Sequence, residues 1–206
     1  MYKNKLSYEN TNKMIFMGDG VFDTPYIDAT TDIEGLDNLI GFNYALSSKR
    51  NDCGIHFFLD DYQFTRLWNN PERYVDLLQR FPFVLSPDFS LYSDYPLALQ
   101  IYNHYRKHWL GAYWQLYGIK VIPTICWSDE ASYNWCFDGE PRNSTVAVSS
   151  VGTQQNKKAK ELFLSGYNEM MKRLEPTTVL FYGSVPEECK GNIVKVKSFQ
   201  EKFSLT

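Results

Sequence analysis

The sequence predicts an α/β fold with a mostly parallel sheet of six to seven strands and flanking helices. Short apolar runs alternate along the chain with longer amphipathic segments, which is typical of βα units. Most of these runs are continuously hydrophobic, as strands covered on both faces must be. An eight-stranded barrel typically needs about 250 residues, and the chain has 206. We therefore expect a compact or incomplete (βα) barrel-like sheet, with an open doubly wound sheet as the alternative.

The apolar runs are predicted to be the strands of this sheet. They occupy residues 39–45, 55–60, 83–88, 120–127, 145–150, 178–183 and 193–198. The segment before them mixes Asn, Thr, Asp and Gly with one short apolar patch, which indicates irregular structure. We therefore divide the chain into an irregular N-terminal lead-in, residues 1–36, and a single α/β domain, residues 37–206.

Amphipathic segments between the runs are predicted to be helices. They cover residues 71–81, 96–117 and 157–174. The first follows Asn70 and starts with Pro71, a residue that suits the first position of a helix. The second carries an apolar stripe from Leu97 to Leu116, at spacings of three and four residues. We expect these helices to pack on the sheet.

Charge and hydropathy exclude some functions. The formal net charge of −3 gives no basic footprint for a nucleic-acid backbone, so such a contact would need a local patch or a bound cation. The N-terminal residues lack the apolar stretch of a secretory signal. The chain also lacks an apolar run of roughly 18 residues, the length that a membrane-spanning helix requires. We expect a cytoplasmic protein that does not span a membrane.

Acidic residues follow several of the predicted strands. They are Asp60, Asp61, Asp88, Asp129 and Glu130. Ligands of parallel α/β folds bind where the strands end, so these carboxylates are predicted to share one rim. Such a cluster is unfavourable unless a cation neutralises it, and Mg²⁺ or Mn²⁺ bound by Asp60, Asp88 and Asp129 would do so. The alternative is that these residues cap helices or form ion pairs.

Basic and imidazole side chains lie on the second predicted helix. Arg106 turned toward Asp60 or Asp88 would form a structural ion pair or, with that pair loosened, a phosphate clamp. The alternative for Arg106 and Lys107 is the solvated face of the helix. His104 and His108 are one turn apart, which is a spacing of metal ligands, but the sequence shows no third ligand.

Further polar and aromatic residues near the strand ends are candidates for substrate binding. They are Asn43, Tyr62, Trp127, Tyr182 and Gly183. Aromatic rings in such places either stack on a base or sugar or close the top of the sheet, and we expect the second role for Phe64 and Phe89. The chain has no G-x-G-x-x-G, P-loop or G-x-S-x-G motif, so dinucleotide binding, P-loop hydrolysis and a nucleophile elbow lose support.

Three long strings carry a family resemblance: FLDDYQFTRLWNNPERYVDLLQRF, SPDFSLYSDYPLALQIYNHYR and GIKVIPTICWSDEASYNWCFDG. Together with TVAVSS and LFYGS, they make the chain resemble the domain of unknown function 4417 family of bacteria, phages and mobile elements. The resemblance implies a mobile-element origin, a bacterial host cytoplasm and no established reaction. The family-like positions are Asn43, Asp60, Asp61, Asp88, Arg106, Trp127, Asp129 and Gly183. Where relatives often read G-T-H-G, this chain reads S-V-G-T at residues 150–153 and lacks the histidine.

These observations leave two hypotheses about function. One is a divalent-metal-assisted hydrolase or nuclease-like enzyme acting on a phosphate-containing substrate, a nucleotide or a nucleic acid. Its catalytic residues would be Asp60, Asp61, Asp88, Asp129 and Arg106. The alternative is a non-catalytic protein that uses an acidic and aromatic surface to inhibit or modulate a host defence or replication protein. Acids placed at strand ends, rather than along helix faces, favour the enzyme.

Overall fold

The structure is a computed structural model that describes residues 13–199 and Glu201. Its helices are α1 (Phe42–Ala45), α2 (Arg66–Asn69), α3 (Val75–Leu78), α4 (Leu97–Gln115) and α5 (Lys157–Leu174). The second and third predicted helices are confirmed as α4 and α5. The first is shorter than predicted, because Pro71–Tyr74 forms a 3₁₀ turn and only Val75–Leu78 is α-helical.

Every apolar run predicted to be a strand contains one, although most of the strands are short. The strands are β3 (Leu39–Gly41), β4 (Gly54–His56), β5 (Val84–Leu85), β6 (Val121–Ile122), β7 (Thr145–Ser149), β8 (Thr178–Tyr182) and β9 (Ile193–Val196). All neighbouring pairs among them are parallel. The predicted parallel α/β character is therefore confirmed.

The expectation of one sheet of six to seven strands is wrong. The strands form a four-stranded sheet in the order β3-β4-β5-β6 and a three-stranded sheet in the order β7-β8-β9. A single parallel bridge between Thr124 and Ala147 connects the two. Among the described residues, no strand ladder joins β9 to β3, so they do not form a closed barrel.

Pro123 gives the physical reason for the division. It follows directly after β6, and a proline has no N–H to donate to a strand ladder. The Pro123 carbonyl still accepts a hydrogen bond from Ala147 N, at 2.8 Å. On the other side, Thr124 donates its backbone N–H to the Ser86 hydroxyl, at 2.8 Å, where a regular ladder would use a carbonyl.

The segment predicted to be an irregular lead-in contains a small hairpin. Strands β1 (Gly18–Asp19) and β2 (Thr24–Pro25) pair antiparallel. Just beyond it, Ile27 is almost fully buried and belongs to the hydrophobic core. Residues 1–12 of the lead-in lie outside the described residues.

Helix α4 differs from its predicted apolar stripe. Leu97 and Leu116, at the two ends of that stripe, are more than half exposed. The buried face instead includes His104, Lys107 and His108, which are each at most 2% exposed. The alternative that placed Lys107 on the solvated face of the helix is therefore wrong, because a buried carboxylate pairs with Lys107.

Two hydrophobic clusters underlie the two sheets. One contains Ile55, Val84 and Val121 of the four-stranded sheet together with Trp109 and Trp114 of α4. The other packs β7 and β8 against the buried face of α5. Among the described residues, no helix is both long and apolar enough to cross a membrane.

Helix α5 approaches the loop after β6 closely because residue 166 is a glycine. A Cβ atom at Gly166 would lie 2.2 Å from the Trp127 ring. Helix α5 begins at Lys157, where the Asn156 side chain caps it by accepting the Ala159 N–H, at 2.9 Å. The close packing holds the Trp127 indole against Phe163, with ring centroids 5.5 Å apart.

We predict that Gly166→Ala destabilises the protein, by about 1–2 kcal/mol. Alanine normally stabilises a helix interior by about 1 kcal/mol relative to glycine, but overpacking typically costs about 1–3 kcal/mol. Urea denaturation measures the difference, with Lys158→Ala on the exposed face of the same helix as the control. In a Trp127→Phe background the loss should shrink. Equal stability of Gly166→Ala and the wild type would contradict the proposed packing.

Candidate functional site

The carboxyl ends of all seven parallel strands open into one cavity of about 1320 Å³. Each strand, or the loop directly after it, contributes to the wall. Examples in strand order are Gly41, His56, Asp88, Cys126, Ser149, Tyr182 and Ser198. Pockets for small ligands usually measure about 300–1,000 Å³, so this space is ample for a metabolite or a nucleotide.

Asp88 is a wall residue whose acidity is strongly altered. It lies in the loop after β5, and burial raises the pKa of its carboxyl group to about 7. The positive charge of Lys107 opposes this rise, and the negative charge of Asp61 adds to it. A carboxyl group with such a pKa exchanges protons near neutral pH, which is the property of a general acid or base.

Aromatic rings form one side of the cavity. The Tyr182 ring stacks on Phe58, with centroids 4.7 Å apart, and contacts the His56 imidazole at 4.8 Å. The Tyr182 hydroxyl accepts a hydrogen bond from Phe199 N, at 3.0 Å, which fixes the ring. Trp127 also lines the cavity. Trp127 is only partly buried and offers a flat apolar surface to a ligand, whereas Tyr182 is 4% exposed and packs into the core.

Asn43 contributes a hydrogen-bond acceptor to the wall. Its Oδ1 atom is buried and has no hydrogen-bond partner among residues 13–199 and Glu201. Gly41 leaves room for it, since a Cβ atom there would lie 2.6 Å from Asn43 Oδ1. Buried polar groups without a partner are rare, so this atom is suited to accept a hydrogen bond from a ligand.

The structure brings some of the predicted site residues together and separates others. Those that line the cavity are Asn43, Asp60, Asp88, Trp127 and Tyr182. Those that are not part of its wall are Asp61, Tyr62, Arg106, Asp129 and Gly183. The chemical roles predicted for these residues stay predictions. Their positions show only which side chains line the cavity and which do not.

Two of the predicted carboxylates serve local structure. Asp61 accepts hydrogen bonds from the Ser90 backbone N–H, at 3.3 Å, and from its hydroxyl, at 3.0 Å. Asp129 caps the 3₁₀ turn Glu130–Asn134 by accepting the Ser132 N–H, at 3.2 Å. The Asp129 contact is a helix cap, which is the alternative that the sequence left open, whereas the Asp61 contact joins residues 29 positions apart and is not a helix cap.

Arg106, Tyr62 and Gly183 also lie outside the cavity wall. The Arg106 guanidinium stacks on the Phe89 ring, at 3.6 Å, and lies 3.7 Å from Asp61. This arrangement is a structural ion pair, but its partner is Asp61 and not the predicted Asp60 or Asp88. Tyr62 is 77% exposed. Gly183 has a φ of +103°, which favours glycine, and its N–H donates to the Val196 carbonyl.

The predicted three-carboxylate metal site does not form in this geometry. Among the described residues, one group of at least three His, Cys, Asp or Glu side chains has ligand atoms within 4.8 Å of one another. That group is His104, His108 and Glu140, rather than Asp60, Asp88 and Asp129.

A buried ion pair lies behind the cavity. Lys107 Nζ is 2.6 Å from Glu140 Oε1, and His108 Nε2 is 2.9 Å from the same oxygen. Burial alone lowers the pKa of Lys107, but the neighbouring Cys126 and Glu140 outweigh it, so the net pKa is raised. Burial likewise raises the pKa of Glu140, and the charges of Lys107 and His108 reverse this, so its net pKa is lowered.

One feature of the sequence relates to this buried ion pair. His104, Lys107 and His108 recur at spacings of three and four residues, which places them on one helix face. A helix face with two histidines and a lysine can either be exposed to solvent or form a buried polar cluster. The partner carboxylate lies 32 residues further on, in a segment without regular structure, and periodicity does not identify it.

Comparisons with known proteins give a family and two phage relatives. The profile of the family described as Domain of unknown function (DUF4417) matches residues 16–200. The chain is 46% identical to the "Gene 1 protein" of Mycobacterium phage L5 over 136 residues, which cover 66% of this chain and 59% of that protein. It is 38% identical to the "Gene 1 protein" of Mycobacterium phage D29 over 193 residues, covering 91% and 70%. No solved structure matches the chain.

The raised pKa of Asp88 makes a prediction about stability. The folded state holds the Asp88 proton up to a pH of about 7, and the unfolded state releases it near 3.8. The contribution of Asp88 to the stability of the wild type therefore decreases as the pH rises from about 3.8 to about 7, and it does not recover above that range. Asp88→Asn removes this loss of stability. We therefore expect the free energy of unfolding of the variant to be higher than that of the wild type by up to a few kcal/mol at pH 8, and by much less at pH 4.5.

Urea denaturation of both proteins at the two pH values measures this difference. Asp76→Asn, which removes an exposed carboxylate of α3, is the control and should show no such pH dependence. A difference between Asp88→Asn and the wild type that is the same at both pH values would show that Asp88 titrates normally.

Proposed function

The chain belongs to the family of domain of unknown function DUF4417, and we propose that it is an enzyme that binds a nucleoside or nucleotide in the cavity at the strand ends. Its proton-exchanging group is Asp88. The observation that carries the proposal is a carboxyl group with a pKa of about 7 in the wall of a cavity built from seven strand ends. Perturbed carboxyl groups in clefts are concentrated at catalytic sites.

The cavity wall supports the choice of ligand class. A nucleoside combines a planar ring with amino and hydroxyl donors. The partly exposed Trp127 ring offers a surface for stacking, and Asn43 Oδ1, which has no hydrogen-bond partner among the described residues, offers an acceptor to one donor. Base stacking on an aromatic side chain contributes about 1–3 kcal/mol.

The narrower hypothesis of metal-assisted phosphate hydrolysis now depends on two carboxylates. Asp60 and Asp88 are the acidic residues among those that line the cavity. Mg²⁺ is commonly held by one or two protein carboxylates together with substrate phosphate oxygens. This form of the hypothesis predicts that Mg²⁺ and a nucleotide bind together, whereas Mg²⁺ alone binds weakly.

A protein partner is the second candidate function, and one observation favours it. Tyr44 and Tyr92 line the cavity and yet are 52% and 57% exposed, so they form an aromatic margin open to solvent. Tyrosines in such positions are enriched in protein interfaces. A non-catalytic phage protein that modulates a host defence or replication protein would use this margin and would not need the acidity of Asp88.

Calorimetric titration with nucleosides and nucleotides, each with and without Mg²⁺, tests the proposal. We expect saturable binding by the wild type and at least a tenfold loss of affinity in Trp127→Ala, about 1.4 kcal/mol. Asp88→Asn should bind but fail to convert the ligand, as followed by mass spectrometry, because the amide cannot exchange the proton. Asp76→Asn is the matched control and should behave as the wild type.

Three outcomes distinguish the candidates. Binding that requires both the nucleotide and Mg²⁺, and that Asp60→Asn abolishes, favours phosphate hydrolysis. Conversion that Asp88→Asn leaves unchanged contradicts the assignment of Asp88. No binding of any nucleoside or nucleotide at millimolar concentration contradicts the proposal and favours the protein partner.

A further inference from the structure

A second cluster of side chains that could bind a ligand lies away from the cavity wall. His104 and His108 of α4 are at most 2% exposed, and the Glu140 side chain is fully buried. One ligand atom from each lies within 4.8 Å of the other two. None of the three lines the cavity, so the cluster is separate from the site proposed for catalysis.

The hydrogen bonds of His104 leave one nitrogen available. Its Nε2 atom is 3.2 Å from the Asp138 carbonyl, and a carbonyl only accepts, so Nε2 carries the proton. The lone pair therefore lies on Nδ1, which is buried and has no hydrogen-bond partner among the residues that the structure describes.

His108 shows the same pattern with its nitrogens exchanged. Its Nδ1 atom is 2.9 Å from the Pro25 carbonyl and must donate to it. In a neutral imidazole, Nε2 then carries a lone pair, and this atom is 2.9 Å from Glu140 Oε1, which is also an acceptor. Two acceptors at this distance require either a proton or a cation next to them.

Glu140 supplies the third group. Its Oε1 atom accepts a hydrogen bond from Lys107, while Oε2 is buried without a hydrogen-bond partner in the described part of the chain. Unpaired lone pairs thus remain on the two imidazoles and on the carboxylate. Histidine ligands of metals typically donate their second nitrogen to a backbone carbonyl or carboxylate, as His104 and His108 do here with Asp138 and Pro25.

We propose that His104, His108 and Glu140 form a binding site for a transition-metal dication, with Zn²⁺ as the favoured ion. Two nitrogens and one carboxylate oxygen are a ligand set of Zn²⁺, whereas Mg²⁺ and Ca²⁺ prefer oxygen alone. Bonds of about 2.0–2.1 Å place two ligands of one ion at most about 4.2 Å apart. Small side-chain rotations therefore bring the three atoms to an ion.

The ion would connect parts of the chain that are distant in sequence. His104 and His108 belong to α4, Glu140 follows the loop after the 3₁₀ turn Glu130–Asn134, and the Pro25 carbonyl orients His108 from β2. A site so buried and outside the cavity serves the fold rather than a substrate. Lys107 competes with the ion for the carboxylate, because its ammonium already bonds Glu140 Oε1.

Zinc titration of the chelator-treated full chain tests the proposal. We expect one equivalent of Zn²⁺ per chain and an increase of the melting temperature on binding. His104→Gln should weaken binding at least tenfold, whereas Lys107→Met should strengthen it, because it removes the competing ammonium. Glu140→Gln should also weaken binding at least tenfold. Its control is Glu161→Gln, at an exposed position of α5, which should bind as the wild type.

A second measurement avoids dependence on variants that fail to fold. X-ray absorption of the Zn²⁺-loaded wild type should show two imidazole ligands, and Co²⁺ in its place should give the intense visible absorption of a four-coordinate ion. Absence of Zn²⁺ and Co²⁺ binding at millimolar concentration, or binding without imidazole ligands, would overturn the proposal and leave a protonated His108 as the donor to Glu140. Asp88→Asn should bind Zn²⁺ as the wild type does, so the two proposals fail independently.

Discussion

The ion pair between Lys107 and Glu140 is the interaction on which the centre of the structure depends. The two side chains are at most 1% exposed, and their charged atoms are 2.6 Å apart. Removal of one partner of such a pair leaves an uncompensated buried charge, which typically costs about 3–5 kcal/mol. Lys107 Nζ also donates to the Thr124 carbonyl, at 2.9 Å. Because Thr124 forms the bridge between the two sheets, one ammonium group connects α4, the sheet junction and the segment that carries Glu140.

The same ammonium links the fold to the chemistry of the cavity. Burial raises the pKa of Asp88, and the positive charge of Lys107 is the main influence that lowers it. Glu140 in turn keeps Lys107 charged within the protein. The acidity of the cavity carboxyl is thus a balance between its own desolvation and a cation that the core requires for structural reasons. A change in the buried pair would therefore alter both stability and the protonation of Asp88.

The sequence predicts the architecture better than the sheet connectivity. Continuous apolar runs such as 145–150 identify buried strands because both faces must be covered, and the periodicity of 157–174 identifies α5 with its bounds. The division into two sheets at Pro123 follows from the missing N–H of this proline. Hydrophobicity alone does not predict it, because it makes residues 120–127 one strand. The buried Lys107 is not predictable from periodicity, because a charged residue on a helix is normally solvated and its partner Glu140 is distant in sequence.

The same distinction explains which site residues the sequence identifies. The shared edge of parallel strands was enough to place Asp60, Asp88, Asn43, Trp127 and Tyr182 around one cavity. Position after a strand does not determine what a carboxylate does there, since a nearby backbone N–H competes for it. Asp61 and Asp129 find such donors in Ser90 and Ser132 and become structural. For Asp88, desolvation rather than a donor dominates the pKa. The conformation of the loops after the strands therefore decides which of several similar carboxylates becomes the candidate acid. These loops vary in conformation more than the sheet that supports them.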